Sequence, residues 1–233
     1  MTDTKKAASG LHVGLILDGN RRWAKENGLP QLEGHRIGYN NLKKIAEAAF
    51  DRGVQYVSAF IFSTENWDRT KKEVSYLMKL SHKMITKDFR ETDEKGIKVL
   101  WMGSEENVPP KLIEEIKKTV ELTKNNTKGT LCLCFNYGGH REITEAVKKI
   151  IDNEKKDITI NEFLLRQYLY NSKVPDIDLI IRTSGEQRLS NFMLWRAAYS
   201  ELYFSAKYWP DFSTIDLDEA LKDYENRKRR FGK

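Results

Sequence analysis

Apolar positions along the chain alternate between two rhythms. Short runs rich in branched and aromatic residues predict strands at His12–Leu17, Val54–Phe62, Ile97–Met102, Leu131–Phe135 and Asp178–Ile181, with a shorter one at Leu202–Phe204. Between these runs, apolar residues recur at helical spacing. Leu42, Ile45, Ala46, Ala49 and Phe50 predict a helix that Gly53 would stop, and Ile143, Ala146, Val147, Ile150 and Ile151 repeat the pattern. Val74, Leu77, Met78 and Ile85 predict a helix within 72–94, and Ile113, Ile116 and Val120 one after Pro109-Pro110. Thr159-Ile160-Asn161-Glu162 has the form of a capping box, which places a cap at Thr159 ahead of Phe163 and Leu164. Leu217, Ala220, Leu221 and Tyr224 predict a last helix.

Strand and helix in alternation predict βαβ units. The expected fold is α/β: one domain over residues 1–233, with a mostly parallel six-stranded sheet flanked by helices. Residues 1–10 are polar, lack a signal-peptide core and are expected to be flexible. In open sheets of this kind ligands gather beyond the carboxyl ends of the strands, so chemistry is sought there.

Composition narrows the field. Hydrophobic residues make up 39% and charged residues 32% of 233, which excludes a collagenous or largely disordered chain. The charge-free stretches Gly53–Thr64 and Gly129–His140 reach only 12 residues, short of the roughly 17–25 needed to span a bilayer. Net charge is +6, partly from Arg227-Lys228-Arg229-Arg230, and points to an anionic partner without choosing between nucleic acid, a phosphorylated small molecule and a membrane surface. Cys132 and Cys134, two apart on an expected strand, read as small core residues and fit a reducing cytoplasm.

The strand ends carry the polar chemistry. After the first come Asp18-Gly19-Asn20-Arg21-Arg22-Trp23: a carboxylate suited to Mg²⁺, a glycine permitting close backbone approach, and two guanidinium groups at a helix start that would receive an anion. Asp18 as a plain N-cap with solvated arginines is an equal reading. The second strand ends in Ser63-Thr64-Glu65-Asn66-Trp67-Asp68-Arg69, with Trp67 either packing or contacting a ligand. The fourth ends in Asn136-Tyr137-Gly138-Gly139-His140, a tight turn in either reading. The fifth ends in Arg182-Thr183-Ser184-Gly185 and continues through Arg188, Leu189 and Ser190, an oxyanion clamp. Glu201 could be a second metal ligand or a surface residue. Neither a P-loop nor a dinucleotide-binding glycine fingerprint occurs. His12 and His82 read as structural or surface residues, and His35 stays open.

Taken together these segments resemble the cis-prenyltransferase family, of which undecaprenyl diphosphate synthase is the best-known member. The resemblance rests on His12 with Asp18-Gly-Asn-Arg-Arg-Trp-Ala24, Phe62-Ser-Thr-Glu-Asn-Trp67-x-Arg69, Asn136-Tyr-Gly-Gly139, Ile181-Arg-Thr-Ser-Gly-Glu-x-Arg-Leu-Ser-Asn-Phe192, and Glu201-Leu-Tyr-Phe204 with Trp209-Pro-Asp-Phe212. It runs in order from His12 to the C-terminus.

The resemblance implies an isoprenyl transferase that elongates an allylic diphosphate, such as farnesyl diphosphate, with isopentenyl diphosphate to give a polyprenyl diphosphate. It implies Mg²⁺ as cofactor. Asp18 would bind metal and act in catalysis, and Asn66 occupies the position assigned to proton removal, although an amide is a weak base that more plausibly orients. Gly19, Asn20, Arg21, Arg22, Trp23, Gln31 and His35 would meet the allylic diphosphate. Ser63, Thr64, Glu65, Trp67 and Arg69 would contact substrate, Arg182, Arg188, Leu189 and Ser190 would clamp isopentenyl diphosphate, and Glu201 would be the second metal ligand. It further implies a homodimer with Arg230 and Gly232 near the partner's active site, a cytoplasmic enzyme peripheral at the membrane that delivers its product there, and no nucleic-acid partner. Gln31 stands where many members place Arg, and Arg21 where many place Gly, so Arg21 is expected to supply the missing charge. His140 replaces a common Arg. A nucleic-acid-binding module and a non-catalytic accessory subunit are the rival readings; carboxylates beside the arginines disfavour the first, and the intact Asp18-Gly19-Asn20 disfavours the second.

Overall fold

The computed structural model describes residues 10–153 and 158–227. Its centre is a sheet of six strands, β1 Leu11–Ile16, β2 Val54–Ser63, β3 Ile97–Met102, β4 Gly129–Tyr137, β5 Leu179–Arg182 and β6 Glu201–Phe204. Their spatial order is β3-β4-β2-β1-β5-β6 and every neighbouring pair is parallel. Strands covered by helices on both faces bury both sets of side chains, which explains the continuous apolar runs of β1, β4 and β5.

Among the described residues eight α-helices accompany the strands: α1 Asn20–Glu26, α2 Gln31–Asp51, α3 Lys71–Lys83, α4 Phe89–Glu94, α5 Pro110–Leu122, α6 Gly139–Asn153, α7 Glu162–Tyr168 and, after β6, α8 Thr214–Asn226. Gly53 ends α2 as expected: its backbone is left-handed (φ 83°) and its N–H returns to the Phe50 carbonyl at 3.0 Å. Two expectations change. The helix expected within 72–94 breaks into α3, a π-helical stretch at Met84–Asp88, and α4, because one wide turn keeps both Met84 and Ile85 buried. The cap of α7 is Asn161, whose side chain accepts from the Leu164 N–H at 2.9 Å, not Thr159; the helix starts two residues later than the capping-box pattern suggested.

Apolar side chains form a cluster on each face of the sheet. One joins Val13, Leu15, Val57, Ala59, Leu131 and Leu133 to α2, α5 and α8 through Leu42, Ile45, Ile116 and Leu217. The other holds Ile16, Cys132, Cys134, Ile180, Phe192 and Met193. Both cysteines are free thiols, fully buried, and burial pushes their pKa values up, so they are inert packing groups.

His12 is structural. Its Nδ1 lies 3.0 Å from the Pro175 carbonyl, which can only accept, so Nδ1 carries the proton and Nε2 accepts from the Ser58 hydroxyl at 2.8 Å. Burial, the dominant influence, lowers its pKa to about 4. The ring is neutral in the fold but charged below about pH 6.5 in the unfolded chain. Stability is therefore complete above pH 6.5 and declines as pH falls towards 4, by about 3 kcal/mol for a shift of this size. Urea midpoints between pH 7 and 4.5 should drop less in His12→Gln than in the native chain; equal slopes would remove this role.

Candidate active site

The strand ends of β1, β2 and β5 open into one cavity of about 870 Å³. Its mouth is polar and its depth apolar, and the two are continuous. Five cationic side chains line it (Arg21, Arg22, Lys25, Arg69, Arg182) against two carboxylates (Asp18, Glu65).

Asp18 stands just past β1. Thr183 Oγ1 and the Trp209 N–H donate to its backbone carbonyl at 2.7 and 2.9 Å, fixing the turn. Its carboxylate receives Arg182 Nη2 at 2.8 Å on one oxygen and Arg22 Nη2 at 3.2 Å on the other. Burial works to raise its pKa, but hydrogen bonding and charge from Arg182, then Arg22, outweigh it, and the carboxyl ionises below its ordinary range. Gly19 follows with φ 104°, and a Cβ there would stand 2.6 Å from the Tyr208 ring, so both backbone and space require glycine.

Arg182, at the end of β5, is almost fully buried. Besides Asp18 it donates to Ser190 Oγ at 2.7 Å and to the Arg188 carbonyl. Its Nε has no hydrogen-bond partner in the protein, and the same holds for Asn20 Oδ1 and His35 Nε2. All three residues line this cavity. Buried polar atoms are rarely left unpaired, so their gathering around one cavity marks it as the place for a polar ligand. Ser184, Ser190 and Asn191 beside them have left-handed backbones (φ 74°, 49° and 65°), a form of strain that concentrates at functional sites.

Behind the cavity lining Glu73 faces two arginines and His35, whose pKa burial lowers. Arg69 Nη1 lies 2.7 Å from Glu73, Arg21 Nη1 3.4 Å and His35 Nε2 3.5 Å. Asn66 lines the cavity, and its Oδ1 accepts from the Ser63 N–H at 3.1 Å. Glu65 accepts from Asn191 Nδ2 at 2.8 Å. Deeper in, Tyr39, Leu42, Phe60, Leu77, Leu80 and Met84 form apolar walls from β2, α2, α3 and the π turn. Past Tyr39, Leu42 and Met84 lies a further void of only about 30 Å³.

The expected residues are mostly brought together. Asp18, Gly19, Asn20, Arg21, Arg22, Gln31, His35, Ser63, Glu65, Asn66, Arg69, Arg182 and Ser190 all line the cavity. Others stand behind it. Trp23 donates to Asp211 at 2.7 Å, and Trp67 donates to buried Asn136 at 2.7 Å while packing on Phe62. Thr64 donates to Glu65, Leu189 packs into the second core cluster, and Arg188 contributes its carbonyl while its side chain pairs with Glu186. Glu201 departs from the expected arrangement. It opens β6 opposite Leu179, whereas Arg182 pairs with Phe204, so Glu201 sits three residues, roughly 10 Å, down the sheet from the Asp18 end. There it receives Arg227 Nη1 at 3.0 Å. Within one chain it does not meet Asp18. Arg230 and Gly232 lie outside the described residues, as do residues 1–9.

Sequence reasoning missed Lys25, Tyr39, Glu73 and Asn191, all at or against the cavity. It also missed Gly34 and Gly38, whose spacing on α2 was the available signal: a Cβ on either would stand 2.0 Å from an oxygen of Asn20. The two glycines let α2 seat directly against the first turn of α1.

A mouth built for anions over an apolar pocket suits a phosphorylated hydrocarbon, and the comparisons agree. A family model described as putative undecaprenyl diphosphate synthase matches residues 16–232. An isoprenyl transferase from Thermotoga maritima is 47% identical over 223 residues, covering 95% of this chain and 96% of the relative. One from Fusobacterium nucleatum is 48% identical over 221 residues, covering 95% of each. Among solved structures, lavandulyl diphosphate synthase from Lavandula x intermedia, in complex with dimethylallyl diphosphate, superposes with a TM-score of 0.91 at 35% identity, covering 97% of this chain and all of that one. A probable undecaprenyl diphosphate synthase from Campylobacter jejuni gives 0.81 at 29%, covering 96% and 99%. The fold and site are those of a prenyl-transferring enzyme. The chain belongs to the undecaprenyl diphosphate synthase family.

Proposed function

We propose that this enzyme lengthens an allylic prenyl diphosphate, such as farnesyl diphosphate, by cis addition of isopentenyl diphosphate units, with Mg²⁺ as cofactor. The continuity of the cation-lined mouth with the apolar depth carries this reading, since one cavity then accepts a diphosphate and its hydrocarbon together.

In each cycle the allylic C1–O bond breaks and diphosphate departs. C1 joins the terminal carbon of isopentenyl diphosphate, which loses a proton as the new double bond forms. Arg21, Arg22, His35 and Arg69, with the Gly19–Asn20 turn, face the allylic diphosphate, and Arg182 with Ser190 and the Arg188 segment hold isopentenyl diphosphate. Asn66 orients through its amide NH₂, its oxygen being engaged by Ser63. The leaving charge is met by groups already in place, which is the form of catalysis that costs no reorganisation at the moment of reaction. The hydrocarbon extends between α2 and α3.

The donor set suits magnesium. Among the described residues no group of three His, Cys, Asp or Glu side chains could hold a metal, but Mg²⁺ is ordinarily bound by one or two carboxylates plus substrate phosphates. Asp18, at the mouth and held ionised below the ordinary range by Arg182 and Arg22, would be that carboxylate. When bound, the ion would supply positive charge to the departing diphosphate. Glu201 of the same chain lies too far down the sheet to share the ion with Asp18.

We further propose a homodimer in which the C-terminal Arg230 and Gly232 approach the partner's mouth, and a cytoplasmic location with release of product at the membrane face. No helix among the described residues is long and apolar enough to cross a membrane. The test is incubation with labelled isopentenyl diphosphate, Mg²⁺ and geranyl, farnesyl or geranylgeranyl diphosphate in turn, followed by sizing of the lipid products. Lengthened diphosphates that vanish with a chelator are expected. No incorporation with any starter would overturn the reading.

A further inference from the structure

We propose that Glu73 is a positioning residue that holds Arg69 and Arg21 as one pair of cations beside His35 and thereby sets the affinity for the allylic diphosphate; this rests on the function proposed above. The carboxylate is the N3 residue of α3, held there by the Thr70 cap. Its side chain is only 11% exposed, although three cationic or ionisable partners surround it. Arg69, four residues earlier, approaches at 2.7 Å from the end of β2's turn; Arg21 approaches from α1 and His35 from α2. One carboxylate therefore ties three separate elements to one spot on the cavity wall.

Glu73 itself does not line the cavity, while Arg21, His35 and Arg69 all do. That geometry separates an acid that organises from cations that bind. The arrangement also explains how Arg21 can serve this chain. Gln31 is uncharged and also lines the cavity, and Arg21, half exposed even when paired with Glu73, is tethered at the cavity by that carboxylate against the many rotamers open to a solvated arginine. Holding flexible arginines in advance lowers the ordering cost at binding. Glu73 faces Arg21, Arg69 and His35, whereas Arg182 is tied to Asp18 and Ser190, so the effect should fall on one substrate only.

The experiment measures KM for the allylic diphosphate and for isopentenyl diphosphate separately in native enzyme, Glu73→Gln and Glu73→Asp, with thermal midpoints alongside. Glu73→Gln should raise KM for the allylic diphosphate about tenfold. KM for isopentenyl diphosphate should stay within twofold, and Glu73→Asp should recover part of the loss. In a double-mutant cycle, Arg21→Gly should cost much less in the Glu73→Gln background than in the native one. An unchanged allylic KM, equal rises in both KM values, or additive effects in the cycle would overturn the assignment. Failure of the native enzyme to use any allylic diphosphate would instead overturn the function on which it rests.

Discussion

Asp18→Ala is expected to slow turnover by about 10²–10⁴-fold, because it removes the protein carboxylate for the metal that meets the leaving diphosphate. The fold should survive. Arg182 keeps Ser190 Oγ and the Arg188 carbonyl, and the turn at residue 18 is held through backbone contacts from Thr183 and Trp209. Asp18→Asn makes the sharper experiment. It keeps the shape and one acceptor for Arg182 but loses the charge, so its loss should approach that of Ala. Single-turnover rates at saturating substrates, with far-ultraviolet dichroism as the folding control, give the comparison. Turnover within fivefold of native in either variant would remove Asp18 from the chemistry. Because Arg182 and Arg22 keep this carboxyl ionised below the ordinary range, its contribution should persist in acid and fade only as pH falls through that lowered value.

Arg196→Met should destabilise the protein by about 3–5 kcal/mol, a large share of the ~5–15 kcal/mol typical of a folded domain. Arg196 and Glu142 are each 1% exposed and bonded at 2.7 Å. Around them Tyr137 donates to Glu142, the Tyr170 N–H donates at 3.1 Å, and Arg196 donates to the Tyr170 carbonyl at 2.7 Å. Removal of the guanidinium leaves a carboxylate stranded among aromatic and sulfur groups. The denaturation midpoint should fall by roughly 10 °C for a chain of this size. Replacing both partners, Glu142→Leu with Arg196→Met, should restore much of the stability, since no charge is then left unpaired. A single variant as stable as the native chain would contradict this account.

The sheet was legible because strands buried on two sides write themselves as unbroken apolar runs; all six were placed within two residues at their starts. The π turn was not legible. Met84 and Ile85 fit an ordinary helix, and one widened turn changes no residue type. Asp18, Asn66, Arg182 and Ser190, candidates because polar groups at strand ends have few structural reasons to gather there, all line the one cavity. Glu73 was hidden by its ordinariness: an acid four residues after an arginine reads as a surface pair until α1 and α2 are seen to close over it. Glu201 is a different case. The motif implied by resemblance placed it at the metal, yet it precedes the apolar run Leu202–Phe204 and so stands at the amino end of its strand, away from the ligand edge. Sheet direction, already inferable, weighed against it.

Gly34 and Gly38 give the pocket one wall that tolerates no edits. With Asn20 pressed against bare backbone on α2, any larger residue at either glycine would lever the first turn of α1 away from the mouth. The other side has no such glycine seam: α3 and the π turn after it meet the cavity at Leu77, Leu80, Ser81 and Met84. A designer who wants a different hydrocarbon accepted should therefore leave the glycine seam alone and recut the lining from α3.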